Sequence, residues 1–362
     1  MIGVIGRYIT GLFMARFWGL LFGLTILVII LDLLSHGDEI LAISDSLFSD
    51  SFRYIGLRTP EIASRLFPFA VLLATLTTLI GLVRTSEMAA LLAAGVSQIR
   101  LMSAFVPSAL LIALLQLCVE DQLLPLTSGE LRAWGVGDYG LGTDQDEQGQ
   151  TWLREGRDVV RIGLRDDSGR YQGITIFRRD DKGNLIERID ARSAVLLGEN
   201  WHLEDIKWWQ FETRELTTVE RMEWQTELRP QTLALLSTHP RELSFRSLRR
   251  MVDTSGFGSR PRYMYDVWLQ KRISRPAATV LMILMAIPLV QFFQNRMSGG
   301  WLPASGVALG FFYWIFDGLL LTIGEAGLMP PPLAAWTPIF VFTALALYLS
   351  IRWDASRATQ KK

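Results

Sequence analysis

Six stretches of this chain are each apolar over a length that lets a helix cross a bilayer, and no other feature limits its folds so strongly. They are Phe17–Leu34, Leu66–Val83, Leu101–Val119, Ala277–Phe293, Trp301–Ile323 and Leu333–Ile351. Crossing the hydrocarbon core takes ~20 mostly apolar helical residues, with a lower limit near ~17. The fourth run meets that limit only just, and Trp268 and Ile273 extend it. Hydrocarbon offers no partner to backbone N–H and C=O groups, so such runs are helical. Half of the residues are hydrophobic and 20% charged, and the apolar ones gather in these runs. Arg7 and Arg16 precede the first run as in a signal peptide. That run is too long, and no small-x-small cleavage pattern follows, so an uncleaved first membrane helix is expected.

The expected layout is residues 1–124 with three spans, a polar domain at 125–263, and residues 264–362 with three more spans. Ile2 to Phe13 alternate apolar and polar groups around Arg7 and Tyr8, the pattern of an interfacial amphipathic helix. Orientation follows from Lys and Arg in short loops. Arg7, Arg16, Arg84, Arg100, Arg296, Arg352, Arg357, Lys361 and Lys362 mark one side. The other has the acidic first loop, with Asp38, Glu39, Asp45 and Asp50, and the fifth loop with Glu325 and no base. Both termini and the Arg84–Arg100 loop are therefore expected in the cytoplasm, and the polar domain outside, in a bacterium the periplasm. That domain reads as strands: T-W-L-R-E-G-R-D-V-V-R-I-G, Y-Q-G-I-T-I-F-R-R-D, L-I-E-R-I-D-A-R-S-A-V-L-L and W-H-L-E-D-I-K-W-W-Q-F. They are rich in β-branched and aromatic residues and separated by turn signals, at the spacing of a meander. A sandwich or open barrel is the natural class. A short amphipathic helix is expected over 244–255.

Several function classes lack their chemistry. No G-x-x-x-x-G-K-[ST] phosphate loop occurs, His36, His202 and His239 lie far apart without H-E-x-x-H, and there is no G-x-S-x-G. Net charge is zero, which gives no argument for nucleic acid, and the single Cys118 cannot form an internal disulfide. Neither catalysis nor a cofactor of its own is expected of the chain.

Three features invite interaction. The loop R-T-S-E-M-A-A-L-L-A-A-G-V-S-Q-I-R, Arg84 to Arg100, reads as a short helix over about 85–96 along the membrane surface. Thr85 or Ser86 suits its start, Glu87 the positive end, Met88, Leu91, Leu92 and Ala93 an apolar face, and Gly95 its end. It serves either a soluble partner or its own helix ends. Asp32 in the first span and Asp317 in F-Y-W-I-F-D-G-L-L of the fifth are charges where charge is costly. Lys271, Arg272 and Arg275 stand before the fourth span, where they suit anionic head groups or form a solvated collar. Pro276 and Pro288 are placed to bend the fourth span, and Gly306, Gly310 and Gly318 thin one side of the fifth.

Together with the R-Y-I near the start, S-E-M-A-A-L-L-A-A-G-V-S after span two, T-W-L-R-E-G…G-I-T-I-F outside, F-Y-W-I-F-D-G in span five and P-P-P after it, this layout resembles the LptF/LptG permeases of lipopolysaccharide export. The resemblance is more to the LptG member and covers essentially the whole chain. It implies an α-helical integral membrane protein of six transmembrane helices with an inserted periplasmic β-jellyroll-like domain, in the bacterial inner membrane. It implies a sister permease (LptF-like), a cytoplasmic ATPase dimer (LptB-like) that carries the ATP and Mg, a single-span periplasmic bridge protein (LptC-like), and lipopolysaccharide or a related glycolipid as cargo. By resemblance the surface helix docks in the ATPase, through Arg84, Ser86, Glu87, Leu91 and Gly95. Spans one and five then line a lateral gate, with Phe22, Ile26, Ile30 and Asp32 on one and Phe312, Ile315 and Asp317 on the other. Members of the family carry lysines near the outer end of span one, whereas this chain has Asp32, His36, Asp38 and Glu39. Phosphate contact there would fall to Arg53, Arg58, the sister subunit or a substrate of different charge, with Lys271, Arg272 and Arg275 as further head-group candidates. The rival reading is a membrane-anchored periplasmic sensor, or a structural or regulatory subunit that binds an ATPase without moving lipid.

Overall fold

A computed structural model describes residues 2–43, 47–94, 104–136, 151–155, 158–163, 166, 170–180, 182–197, 200–226, 238–253, 260–293 and 301–360. Two compact units emerge, Met1–Glu130 with Val267–Lys362, and Leu131–Asp266. The first holds α1 (Ile2–Ile43), α2 (Leu47–Arg84), α3 (Glu87–Ala93) and α4 (Val106–Cys118). A π-helical turn (Val119–Leu123) joins α4 to α5 (Leu124–Trp134), which enters the second unit. The helical unit is completed by α7 (Arg262–Phe293), α8 (Trp301–Glu325) and α9 (Pro331–Gln360). The helix α6 (Phe245–Asp253), in the second unit, is the amphipathic one expected there, with Leu248 and Met251 buried. Among the described residues, six helices are long and apolar enough to cross a membrane. The chain is a helical membrane protein with an inserted β domain.

Within the helical unit the helices are not equivalent. Of the apolar windows, 61% is buried in α2 and 71% in α7, against 22% in α1 and α8, so α2 and α7 form the centre and α1 and α8 the rim. In α1, Ile9, Phe13, Phe17, Leu21, Thr25 and Ile29 recur every fourth residue, and all are buried. That spacing keeps one face of a helix on its neighbour, here α2. Ile2 to Phe13 do not form a separate interfacial helix. They are the first turns of α1, because Ile9 and Phe13 continue its inward stripe. Gly306 and Gly310 of α8 lie against α2, where an added Cβ would come within 2.0 Å of Leu76 and 2.4 Å of the Phe69 ring. Gly318 faces open space. Pro276 and Pro288 both lie within the continuous α7, and Pro331 opens α9, where a missing N–H costs nothing.

In the second unit β1 (Thr151–Glu155), β2 (Asp158–Ile162), β3 (Tyr171–Arg179), β4 (Leu185–Leu197), β5 (Asn200–Gln210) and β6 (Glu215–Trp224) pair antiparallel in sequence order. This is the expected meander, a single sheet among the described residues, without the crossing connection that would make a jellyroll. Its short hairpins put each strand beside the next. One is closed by Asp180, which accepts from the N–H groups of Lys182 at 2.9 Å and Asn184 at 2.7 Å.

A further detail breaks the period of two. Trp201 and Leu203 are buried, and so is Ile206, three residues on; Ala194 and Ala191 across the ladder show the same step. Between them Gly173 and Asp205 have φ of +63° and +51°. The pairing register is the same on both sides of this row, Gln172↔Ser193 and Ile174↔Ala191, then Ser193↔Glu204 and Ala191↔Ile206, so the neighbouring strands shift their alternation together there. Asp tolerates that backbone region better than most residues.

Candidate functional site

The surface helix α3 follows directly on α2. Ser86 stands at its start with φ +59°, its carbonyl accepting from the Ala90 N–H at 3.1 Å. A seryl residue there is strained by its Cβ, and the strain fixes a sharp corner between α2 and α3. Met88 is buried in the core and Leu91 packs against it, while Ala89, Ala90 and Ala93 face outward. Ala93 is thus on the outer face rather than the apolar one expected for it. Among the described side chains of α3 the outward ones are alanines, which lets another chain approach the backbone closely. Glu87 sits at the edge of that face with its carboxylate held at both oxygens. Oε1 accepts from Thr85 Oγ1 at 3.0 Å and Oε2 from the Tyr8 hydroxyl at 3.1 Å. Arg84 is exposed beside it; Gly95 lies outside the described residues.

The rim helices present the second surface. Phe22 is 70% exposed, and Ile26 and Ile30 lie on the same outward side of α1. Phe312 and Ile315 are likewise exposed on α8. The two aspartates expected alongside them behave differently. Asp32 accepts from Tyr54 OH at 2.7 Å and from Arg58 Nε at 3.1 Å, both on α2. Asp317 turns inward to Lys271 of α7. The expected gate residues thus separate into outward hydrophobes and inward, paired carboxylates.

Charge inside the bundle forms a network that crosses four helices. Glu120 sits in the π turn at 1% exposure, and the extra residue per turn aims it at α7. Arg272 Nη1 donates to its carbonyl oxygen at 2.7 Å and lies 3.5 Å from its carboxylate; Arg275 approaches the other oxygen at 3.4 Å. Gln116, one turn earlier, donates to the Ser64 carbonyl at 3.2 Å and accepts from Thr279 Oγ1. Arg275 also lies 5.0 Å over the Trp268 ring, whose indole N–H donates to Glu325 at 2.6 Å. On α2, Arg58 and Arg65 share Glu61. Low dielectric makes each of these charges expensive alone and strongly bound in company. A cleft of about 70 Å³ accessible volume lies against the network, bordered by Ser64, Arg65, Gln116, Arg275, Tyr313 and Asp317.

Lys271, Arg272 and Arg58 are therefore not a collar open to head groups. They are 2%, 4% and 4% exposed, each against a carboxylate from its own or another helix. Only Arg53 of the expected basic set is exposed. Local sequence pointed the wrong way because V-E-D-Q-L reads as an exit from the membrane, while its counter-charges lie about 150 residues later on α7. Gln116 and Glu120, and Arg272, Arg275 and Thr279, do share helix faces at spacings of three and four, and that pattern was the available signal.

The residues that carry the resemblance now have places. R-Y-I opens the buried stripe of α1, S-E-M-A-A-L-L builds α3, F-Y-W-I-F-D-G is the middle of α8, and P-P-P leads into α9. The family described as lipopolysaccharide export system permease LptF/LptG matches residues 7–352. The chain belongs to the LptF/LptG family. It is 22% identical over 303 residues to the LptG permease protein of Haemophilus influenzae, covering 83% of this chain and 85% of that protein. It is 25% identical over 319 residues to the LptF permease protein of Escherichia coli, covering 83% of this chain and 81% of that one. The LptG alignment is the stronger of the two as a whole, although LptF shares slightly more identical residues, so the chain stands closer to LptG.

Proposed function

We propose that this chain is one permease half of a lipopolysaccharide exporter in the bacterial inner membrane, without catalytic chemistry of its own. A sister LptF-like permease closes the other half, and an LptB-like ATPase dimer on the cytoplasmic side hydrolyses ATP with Mg. The β domain stands in the periplasm and leads into an LptC-like bridge. In this reading α3 seats in the ATPase, with Glu87 as the charged contact and Arg84 and Leu91 around it. Nucleotide binding there moves the helices, and α1 and α8 admit a lipid between the two permeases and then narrow behind it. The acyl chains run along Phe22, Ile26, Ile30, Phe312 and Ile315. A phosphate head group meets Arg53 and the sister subunit, since Arg58, Lys271 and Arg272 are engaged inside the bundle.

The observation that carries this reading is the build of α3: a strained corner, an outward face of alanines and a carboxylate oriented from two sides. Glu87 suits the positive end of its own helix, and, half exposed at the edge of the outward face, it is also placed to meet a cation on a partner. Replacing Glu87 by Ala removes a charge-assisted contact worth about 1.5–3 kcal/mol. Co-purified ATPase is then expected to fall by about tenfold or more. Unchanged co-purification together with unchanged lipid transport would overturn the docking role.

A further inference from the structure

Among the described residues, three hydrogen bonds tie α1 to the segments on either side of α3 and to α3 itself. Thr10 Oγ1 donates to the Ala104 carbonyl at 3.2 Å, and Arg16 Nη1 to the Thr77 carbonyl at 2.8 Å. The third is Tyr8 OH to Glu87 Oε2 at 3.1 Å. The first two hold backbone, one just before α4 and one in the last turns of α2. Only the third reaches a side chain at the edge of the outward face of α3. Tyr8 itself is 49% exposed, so burial does not explain its position.

The helix that Tyr8 belongs to runs unbroken from Ile2 to Ile43, and at ~1.5 Å per residue a helix of that length is about 60 Å long. It carries Phe22, Ile26 and Ile30 on its outward side. Its far end is fixed to α2 by Asp32, through Arg58 and Tyr54. Between these attachments α1 is packed on α2 through Ile9, Phe13, Phe17, Leu21, Thr25 and Ile29, so the Tyr8–Glu87 bond joins α3 to a helix that is seated along its whole inner face. The exposed apolar face lies between the two attachments.

We infer that Tyr8 is a positioning residue that links Glu87 to α1, so that displacement of α3 reaches the apolar face of α1 directly and not only through α2. This rests on the docking role of Glu87 proposed above. The hydroxyl orients the carboxylate at rest and carries its movement into the first turns of α1 when α3 is pushed.

The test uses the full permease pair with its ATPase in proteoliposomes, and reads ATP hydrolysis, ATPase retained on purification, and lipid released per ATP hydrolysed. Tyr8→Phe removes the donor and keeps the ring. ATPase retention is expected to stay within about twofold of wild type, while lipid released per ATP falls by about threefold to tenfold, the scale of one hydrogen bond. Tyr8→Lys, which restores a donor toward Glu87, recovers most of the ratio. An unchanged ratio in Tyr8→Phe overturns the link. So does an equal deficit in Tyr8→Phe and Tyr8→Lys, or loss of the ATPase from Tyr8→Phe, which would place the hydroxyl in the docking contact instead. If Glu87→Ala retains its ATPase, the docking reading fails first, and the two failures are told apart by that variant.

Discussion

The two units of this protein treat charge in opposite ways. In the sheet, Arg192 and Asp205 pair at 3.0 Å with side chains 79% and 56% exposed, and Arg221 stands 79% exposed beside Glu204. In the bundle, Arg272 and Glu120 face each other at 4% and 1%. Water around the first pair solvates either partner when the other is lost, so the pair contributes little. Nothing solvates the second. Among the described residues, buried charge pairs join α7 to the π turn after α4 through Arg272 and Glu120, α1 to α2 through Asp32 and Arg58, and α7 to α8 through Lys271 and Asp317. The charged contacts lie inside the bundle, and the outward sides of α1 and α8 carry exposed apolar residues such as Phe22, Ile30, Phe312 and Ile315.

The largest effect that tests this contrast is at Glu120. Glu120→Ala leaves Arg272 and Arg275 without their buried carboxylate, and the bundle is expected to lose about 3–5 kcal/mol, read as a lowered melting temperature in detergent. A melt equal to wild type would show that water reaches the π turn and would remove the distinction. Next comes the Lys271–Asp317 pair. Lys271→Met and Asp317→Leu are each expected to destabilise by about 2–4 kcal/mol, and the double variant by less than either, because no uncompensated charge remains. Additive losses would mean that the two charges are not coupled. Arg192→Ala in the sheet should cost at most about 0.5–1 kcal/mol. A loss as large as that at Glu120 would sink the comparison from the other side.

The smallest effect concerns pH. Asp180 is exposed, and the Asn184 side chain, followed by backbone N–H groups of Asn184 and Lys182, holds its carboxyl below the usual carboxylate range. A carboxyl lowered on folding adds stability above its unfolded pKa, about 3.9, and that contribution disappears as pH falls through the lower folded value. The gap in melting temperature between wild type and Asp180→Ala should therefore be present at neutral pH and close in acid. A gap that widened in acid would contradict the turn's geometry.

The contrast also separates what the sequence made legible from what it hid. Runs of apolar residues announce spans directly, since lipid demands length and hydrophobicity from each helix by itself, and all six were readable. The strands from Thr151 to Gln210 and their meander spacing were readable from short β-branched segments and the turn at Asp180, whereas β6, with Glu215, Glu220, Arg221 and Glu223 among its ten residues, was not. The row at Gly173 and Asp205 was not, because a left-handed backbone residue shifts the alternation without leaving a gap in composition. The bundle's charges were misread for a similar reason. Glu120 and Arg272 look like membrane-edge residues along the chain, and only the packing of α4 on α7 turns them into a pair. Likewise, Glu87 was legible as a helix-start carboxylate, but its bond to Tyr8, 79 residues earlier, was not.

Lipid at the rim is the claim on which the rest depends. A photo-crosslinking residue at Phe22, Ile30, Phe312 or Ile315, in complexes made in native membranes, reports what touches those positions. Lipopolysaccharide adducts at α1 and α8 that change when ATP is added are the expected result. Bulk phospholipid alone at all four positions, indifferent to nucleotide, would contradict the account.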